Sequence, residues 1–536
     1  MPRTIADTRN VTGISVPAGR VLRPRTTAQV QRIIRLANAR GWTVNPISTG
    51  LNYGYGGPSP ANATDIQLDL GRMTAIRNAA EISASNPVAV IEPGVTQQAL
   101  FDWLERHHPG LSFNVTGSAR HTSILGNALD RGVGYFGPRK EDVFGLEVVT
   151  GEGKLIRTGF RRLGESSPLA HSHPYGLGPI LDGLFFQANL GVVTSACFRL
   201  VPKRPLAVAV SLGLRDGANL DKFIDRLAAL KREGVMGSVT HCANRPRSHA
   251  SLMYGITTYL EQQCGRTPAV AAQEAREALA IVAKGDWTSL GAITGTKAQV
   301  RANLAELRAR MGDIAGVRVL TEQKLELGYR VMHALRFLRG ARANAAAIAA
   351  LRPLHVLALG QPTDAAIDNL LWRYGSAHLP ATQLDKSNCG LLFINPALPL
   401  DGPFVAMVVA DLERIARPFE LYMTINIETA TSLVAVINLL FDRADAAQTA
   451  AAKHTADALL ECLRTHRLEV YRARADMMQA VVDPAEPFWQ TVGAIRHALD
   501  PHGVIAPGRY CPEPDTPPRP PDTAAGAAVR RSPADG

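Results

Sequence analysis

The chain has 536 residues, 46% of them hydrophobic, with a formal net charge of +11, too long for one simple core and calling for at least two structural units. No apolar run approaches the roughly 20 residues that span a bilayer, so no membrane association is expected. The lysines and arginines are scattered and accompany no nucleic-acid motif, so nucleic acid is not an expected partner, whereas a basic surface suits an anionic cofactor or substrate.

The six cysteines (Cys197, Cys242, Cys264, Cys389, Cys462 and Cys511) show no C-x-x-C pairing. That fits a reducing compartment and argues against a structural zinc site; no metal is expected. The first 20 residues lack the apolar core of a secretory signal, which makes a cytoplasmic location the expectation.

Along the chain, Thr26 or Thr27 can cap a helix whose Val30, Ile33, Ile34 and Ala37 share one face. Gly41 ends it, and Trp42-Thr43-Val44 reads as a short strand. A second amphipathic helix over 96–108 carries Leu100, Trp103 and Leu104 on one side and stops at Pro109-Gly110. Residues 147–150 and 155–158, joined by Gly151-Glu152-Gly153, predict a β-hairpin. From 206 the pattern mixes helical stretches (221–231, 271–283, 297–310) with apolar β-like runs at 390–394 and 433–441. An alanine-rich helix follows over 446–465. The alternation is that of an α+β protein. Beyond 511 the chain is rich in proline, alanine and charge, which predicts a disordered tail over 512–536.

The most informative segment is Pro46-Ile47-Ser48-Thr49-Gly50-Leu51-Asn52, followed by Gly54-Tyr55-Gly56-Gly57. Small residues let successive backbone amides approach an anion, and such a concavity suits a diphosphate. No G-x-G-x-x-G follows a strand and no G-x-x-x-x-G-K-[ST] is present, so the Rossmann and P-loop modes are not expected. Further motifs follow in order. They include Glu92-Pro93-Gly94-Val95 and the run from Ser123 through Gly126-Asn127 to Tyr135. Asn189-Leu190-Gly191-Val192-Val193, Tyr471-Arg472 and Ala506-Pro507-Gly508-Arg509 come after them.

In this series the chain resembles the vanillyl-alcohol oxidase and p-cresol methylhydroxylase family of flavoproteins. The likeness is dense over about 20–205, sparse to about 440 and clear again over 466–511. It implies an α+β, two-lobed FAD-binding domain of the vanillyl-alcohol oxidase type plus an α+β cap domain. The FAD-binding domain, of PCMH type, would take 1–205 with 466–511 returning to it, and the cap would take 206–465. FAD would rest on Ser48, Thr49, Gly50, Leu51 and Asn52, with Ser123, Gly126 and Asn127 as the second wall and Gly191 and Val192 beneath. Family members often link FAD through a histidine or tyrosine. The matching cap strand, 431–441, offers neither and the loop has Leu51, so noncovalent FAD is expected.

In phenol-oxidising relatives two tyrosines and an arginine hold the phenolate oxygen, and Tyr55, Tyr471 and Arg472 match their places. Such a trio would stabilise a developing phenolate. Arg472 could instead face the flavin's own polar edge, and Arg509 is a further candidate anion contact. Where phenol oxidases carry an aspartate near the flavin, Ser118 stands here, and His121 is a candidate substitute base. The implied activity is oxidation of a small organic substrate, foremost a phenolic or aromatic alcohol, by hydride transfer to flavin N5. Dehydrogenation of a non-aromatic alcohol, hydroxy acid or amine is the alternative, and a flavin-binding scaffold without turnover is the alternative of another class. The sequence leaves open whether O2 or another partner accepts the electrons and whether the chain forms a homo-oligomer.

Overall fold

The computed structural model describes residues 5–371, 374, 379–417 and 419–512. The tail expected over 512–536 lies outside them apart from Pro512.

The N-terminal unit holds two sheets. A parallel sheet runs in the order Ala18–Leu22, Thr64–Asp69, Val44–Ile47. The strand expected over 42–44 therefore starts two residues later and includes Pro46, which is tolerated because this strand lies at the sheet edge. Helix Thr27–Arg40 begins at Thr26, whose side chain accepts from the Gln29 amide, and stops at Gly41 in the left-handed region at φ 63°. Its buried Val30, Ile34 and Ala37 pack on Val44, Ile66 and Leu68.

An antiparallel sheet runs Val88–Ile91, Val192–Arg199, Val143–Val149, Leu155–Arg157, and its last pair is the predicted hairpin. Helix Gln97–His107 buries Leu100 and Leu104 against it, while Trp103 stacks on His107 at a ring distance of 4.8 Å.

The second unit is built on an eight-stranded antiparallel sheet. Its order is Ala315–Leu320, Leu206–Leu214, Trp287–Gly295, Thr240–Asn244, Tyr422–Ile427, Leu433–Asp442, Cys389–Leu398, Val470–Arg472. Side chains alternate across the strands. Leu212, Cys242, Met423, Ile425 and Ile437 face a core shared with helices Leu220–Arg232, Gly402–Ala416 and Ala446–Thr465. Ser211, His241, Thr424, Asn426 and Asn438 face the other way, into a cavity roofed by helices Arg245–Cys264 and Arg339–Ala358.

The C-terminal segment divides. Val470–Arg472 extends the cap sheet, although the boundary read at 466 assigned it to the FAD unit. Further on, Ile505 bridges Val44, and the Val44 and Ala506 amides donate to Val504 and Val44 carbonyls at 2.8 Å, so the chain ends on the N-terminal sheet. The strand over 470–472 therefore carries Arg472 to the seam between the two units.

Candidate active site

Beyond strand Val44–Ile47, residues Ser48, Thr49, Gly50, Leu51 and Asn52 form one wall of a cleft of about 210 Å³. Gly50 sits at φ 72°, where a side chain would be strained. The facing wall is the short helix Ile124–Leu129, whose cap Ser123 accepts from the Gly126 amide at 2.9 Å. The two walls touch: the Ser123 amide donates to Thr49 Oγ1 at 3.2 Å, and Gly126 lies so close to Ser48 that any Cβ would overlap its Oγ. Gly191, Val192 and Val193 close the cleft from the antiparallel sheet.

The cleft meets a larger cavity of about 670 Å³, and both are lined by Leu51, Asn52, Asn127 and Arg472. Arg472 is buried; its Nη2 lies 2.5 Å from Asp130 Oδ2 and also donates to Asn52 Oδ1. The Asn52 side-chain oxygen is thus taken up by Arg472, and its Nδ2 remains a donor. Through its other oxygen Asp130 meets Arg509 Nη2 at 3.2 Å, so one carboxylate serves two guanidiniums and the cleft keeps a net positive charge. Burial works against the charge of Arg472, yet Asp130 and the rings of Tyr55, Tyr471 and Tyr510 hold its pKa above the ordinary arginine value.

Tyr55 lies in the single turn Tyr53–Tyr55, with its ring centroid 3.7 Å from Arg472 Cζ and 4.7 Å from the Phe393 ring. Its hydroxyl accepts from Asn395 Nδ2, and Tyr471 lines the same cavity. Burial pushes both phenol groups up, so both remain protonated near neutral pH.

His241, which sequence reasoning missed, sits on the sheet wall opposite Asn426, with Nδ1 2.7 Å from Asn426 Oδ1. Its Nε2 is buried without a hydrogen-bond partner, and its ring centroid lies 4.4 Å from that of Tyr135. Burial pushes the imidazole down to about 4, with Arg247 and Lys231 adding to this against the Asn426 hydrogen bond. A neutral ring donates through Nδ1 to Asn426 Oδ1.

Of the other expected residues, Ser118 lines the cavity with its hydroxyl 2.7 Å from that of Thr116. His121 does not join the site: it is exposed and lines neither space, because it lies just before the cap of the 124–129 helix on the outer side of the loop. His171 is buried between Glu81 (3.0 Å) and Glu165 (2.7 Å). His173 is exposed. Asp130 and Arg247 were also missed; one is an unremarked member of the second loop, the other sits on a helix without a motif. No group of three or more metal-ligating side chains occurs among the described residues, nor is any of their helices long and apolar enough to cross a membrane.

The residues present fit FAD. The cleft offers a close-approach loop and an excess of positive charge for the diphosphate. At the junction, Asn127 Oδ1 and Arg472 Nε are buried and lack hydrogen-bond partners. Residues 18–159 match the family model described as FAD binding domain. The chain is 28% identical over 508 residues to 1'-carboxy-chondrochloren decarboxylase of Chondromyces crocatus, covering 92% of this chain and 90% of that one. It is 25% identical over 492 residues to the 4-cresol dehydrogenase [hydroxylating] flavoprotein subunit of Pseudomonas putida, covering 90% and 86%. In structure it is similar to p-cresol methylhydroxylase with substrate bound, at a TM-score of 0.77 and 22% identity, over 94% of this chain and 92% of that one. The chain is an FAD-dependent oxidoreductase, similar in sequence and fold to flavoproteins of the vanillyl-alcohol oxidase and p-cresol methylhydroxylase family.

Proposed function

We propose that this enzyme oxidises a para-substituted phenol in the cap cavity, with FAD held noncovalently in the cleft. The observation that carries the reading is that Tyr55 and Tyr471 line the cavity beside the fixed charge of Arg472, which lies against the Tyr55 ring where cleft and cavity meet. When bound, FAD supplies a two-electron acceptor. Two protonated hydroxyls beside a permanent cation would receive a phenol oxygen and favour its ionisation, in a site with little water to screen them. Ser118 supplies no acid–base group at the family's aspartate position, so proton acceptance falls to another group, and His241 is the histidine that lines the cavity among the described residues. The similarity to a 4-cresol dehydrogenase subunit supports a phenolic substrate. Noncovalent FAD is supported by Leu51 in the loop and by Val436 and Asn438 on the cavity side of strand Leu433–Asp442, none able to form the link. All six cysteines are free thiols, which supports a cytoplasmic setting.

A second reading, dehydrogenation of a non-aromatic hydroxy acid, draws on the same Ser118 and on the basic lining of the cavity. Anaerobic mixing of the holoenzyme with a panel of 4-alkylphenols, benzylic alcohols, 2-hydroxy acids and amines separates the two. Loss of the flavin absorbance with phenols supports the first; loss with 2-hydroxy acids alone supports the second.

A further inference from the structure

The cap cavity is lined by Arg215, Arg247, Lys284, Arg318 and Arg472, and among the described residues no aspartate or glutamate lines it. Asp130 answers the charge of Arg472. Arg215, Lys284 and Arg318 are exposed, so water and salt screen them at the part of the wall that opens to solvent.

Arg247 is different. It stands in the first turn of helix Arg245–Cys264, whose cap Asn244 accepts from its backbone amide at 3.1 Å, and the side chain enters the cavity from there. Its Nη1 donates to Ser251 Oγ at 2.8 Å, one turn further along the same helix. The groups that act on its charge are Tyr135 and Tyr422, not carboxylates, and burial pushes its pKa down to about 10. A half-buried guanidinium with one hydroxyl partner and no counter-charge costs stability, and a ligand anion would offset that cost. The surroundings suit such a ligand: Tyr135 and the His241 ring, 4.4 Å apart, line the same cavity as Arg247.

We propose that Arg247 is a specificity residue that receives a carboxylate on the substrate's side chain, through its planar donor fork, while the exposed cations draw the anion inward. The substrate class is then a phenol bearing an acidic para side chain. The aromatic end of this inference rests on the phenol reading; the anion end stands on Arg247 and the carboxylate-free lining.

The test is a titration of the holoenzyme by calorimetry and by perturbation of the flavin spectrum, in wild type, Arg247→Gln and Arg247→Lys. The probes are 3-(4-hydroxyphenyl)propanoate, its primary amide, 3-phenylpropanoate and 4-ethylphenol. Wild type should bind the acid roughly 10- to 100-fold more tightly than the amide, the range of a charge-assisted contact. That preference should fall to about one in Arg247→Gln and recover in part in Arg247→Lys. Equal binding of acid and amide in wild type, or an undiminished preference in Arg247→Gln, overturns the proposal. Should the Gln variant fail to load flavin, the wild-type ratio and the Lys variant decide. Binding of 3-phenylpropanoate without 4-ethylphenol upholds the anion site and rejects the phenol reading. Binding of 4-ethylphenol without acid preference does the reverse, and binding of no probe overturns both.

Discussion

Asp130 Oδ2 lies 2.5 Å from Arg472 Nη2, tying the second wall of the cleft to a guanidinium delivered by the cap sheet. The pair keeps Arg472 charged and fixes it under the Tyr55 ring, at the seam through which both spaces communicate. Because Arg509 holds the other oxygen of Asp130, removing Arg472 leaves that carboxylate paired rather than stranded.

Arg472→Ala should therefore fold and load FAD but slow flavin reduction by substrate. Losing one charge-assisted contact in a water-poor site costs about 2–4 kcal/mol, or roughly 30- to 1,000-fold in rate. Arg472→Lys should recover only part, since a point charge does not reproduce the planar fork. Stopped-flow absorbance measures this, and an unchanged rate in Arg472→Ala would make the residue structural.

Gly50 yields a prediction about the cofactor. A Cβ there would only reach ordinary contact with Ile47 and Pro58 at 3.7 Å, so the obstacle is the backbone at φ 72° rather than a collision. Gly50→Val should distort the loop and sharply lower flavin content. Gly50→Asn should retain much of it, because asparagine tolerates the left-handed region. Equal flavin content in Gly50→Val and wild type would place the diphosphate elsewhere.

Acid precipitation should release intact FAD into the supernatant, since neither Leu51 nor the cavity face of strand Leu433–Asp442 offers a linking side chain. Flavin retained by the precipitated polypeptide, located by peptide mass spectrometry, would contradict this.

His241 should make the protein acid-sensitive. Its folded pKa of about 4 lies below the ordinary histidine value of 6.5, so the unfolded chain takes up its proton first. Stability from this group is full above pH 6.5 and is lost as pH falls toward 4. At pH 5 the loss is at most about 2 kcal/mol. Thermal midpoints at pH 7.5 and 5 should thus diverge less in His241→Gln than in wild type, and parallel drops would sink the idea.

The parts of this site that were legible in the sequence are those set by local chemistry. The small-residue loop from Pro46 to Asn52 and the turn at Gly151-Glu152-Gly153 are short-range patterns, and the chain forms a loop and a hairpin turn there. Tyr55, Tyr471 and Arg472, singled out by the resemblance to phenol-oxidising flavoproteins, line one cavity. What was not legible depends on register between distant strands. His241 becomes a cavity residue only because Thr240–Asn244 pairs with Tyr422–Ile427, which sets it opposite Asn426. Neither strand was among the β-like runs read from the sequence, and their pairing leaves no local pattern. Likewise, nothing near Asp130 announces Arg472, which is 342 residues away and arrives on a strand added to the cap sheet.

The account's central claim, that Tyr55 and Tyr471 receive a phenol oxygen, is tested most directly by one matched pair of probes. The flavin absorbance of the holoenzyme is followed anaerobically after mixing with 4-ethylphenol or with 4-ethylanisole, which differ only in the hydroxyl hydrogen. The account predicts bleaching by the phenol and none by the ether, with the phenol rate falling at least about tenfold in Tyr471→Phe, as expected for loss of one hydrogen bond to a charged oxygen. Equal responses to the two probes, or a full rate in Tyr471→Phe, would contradict it.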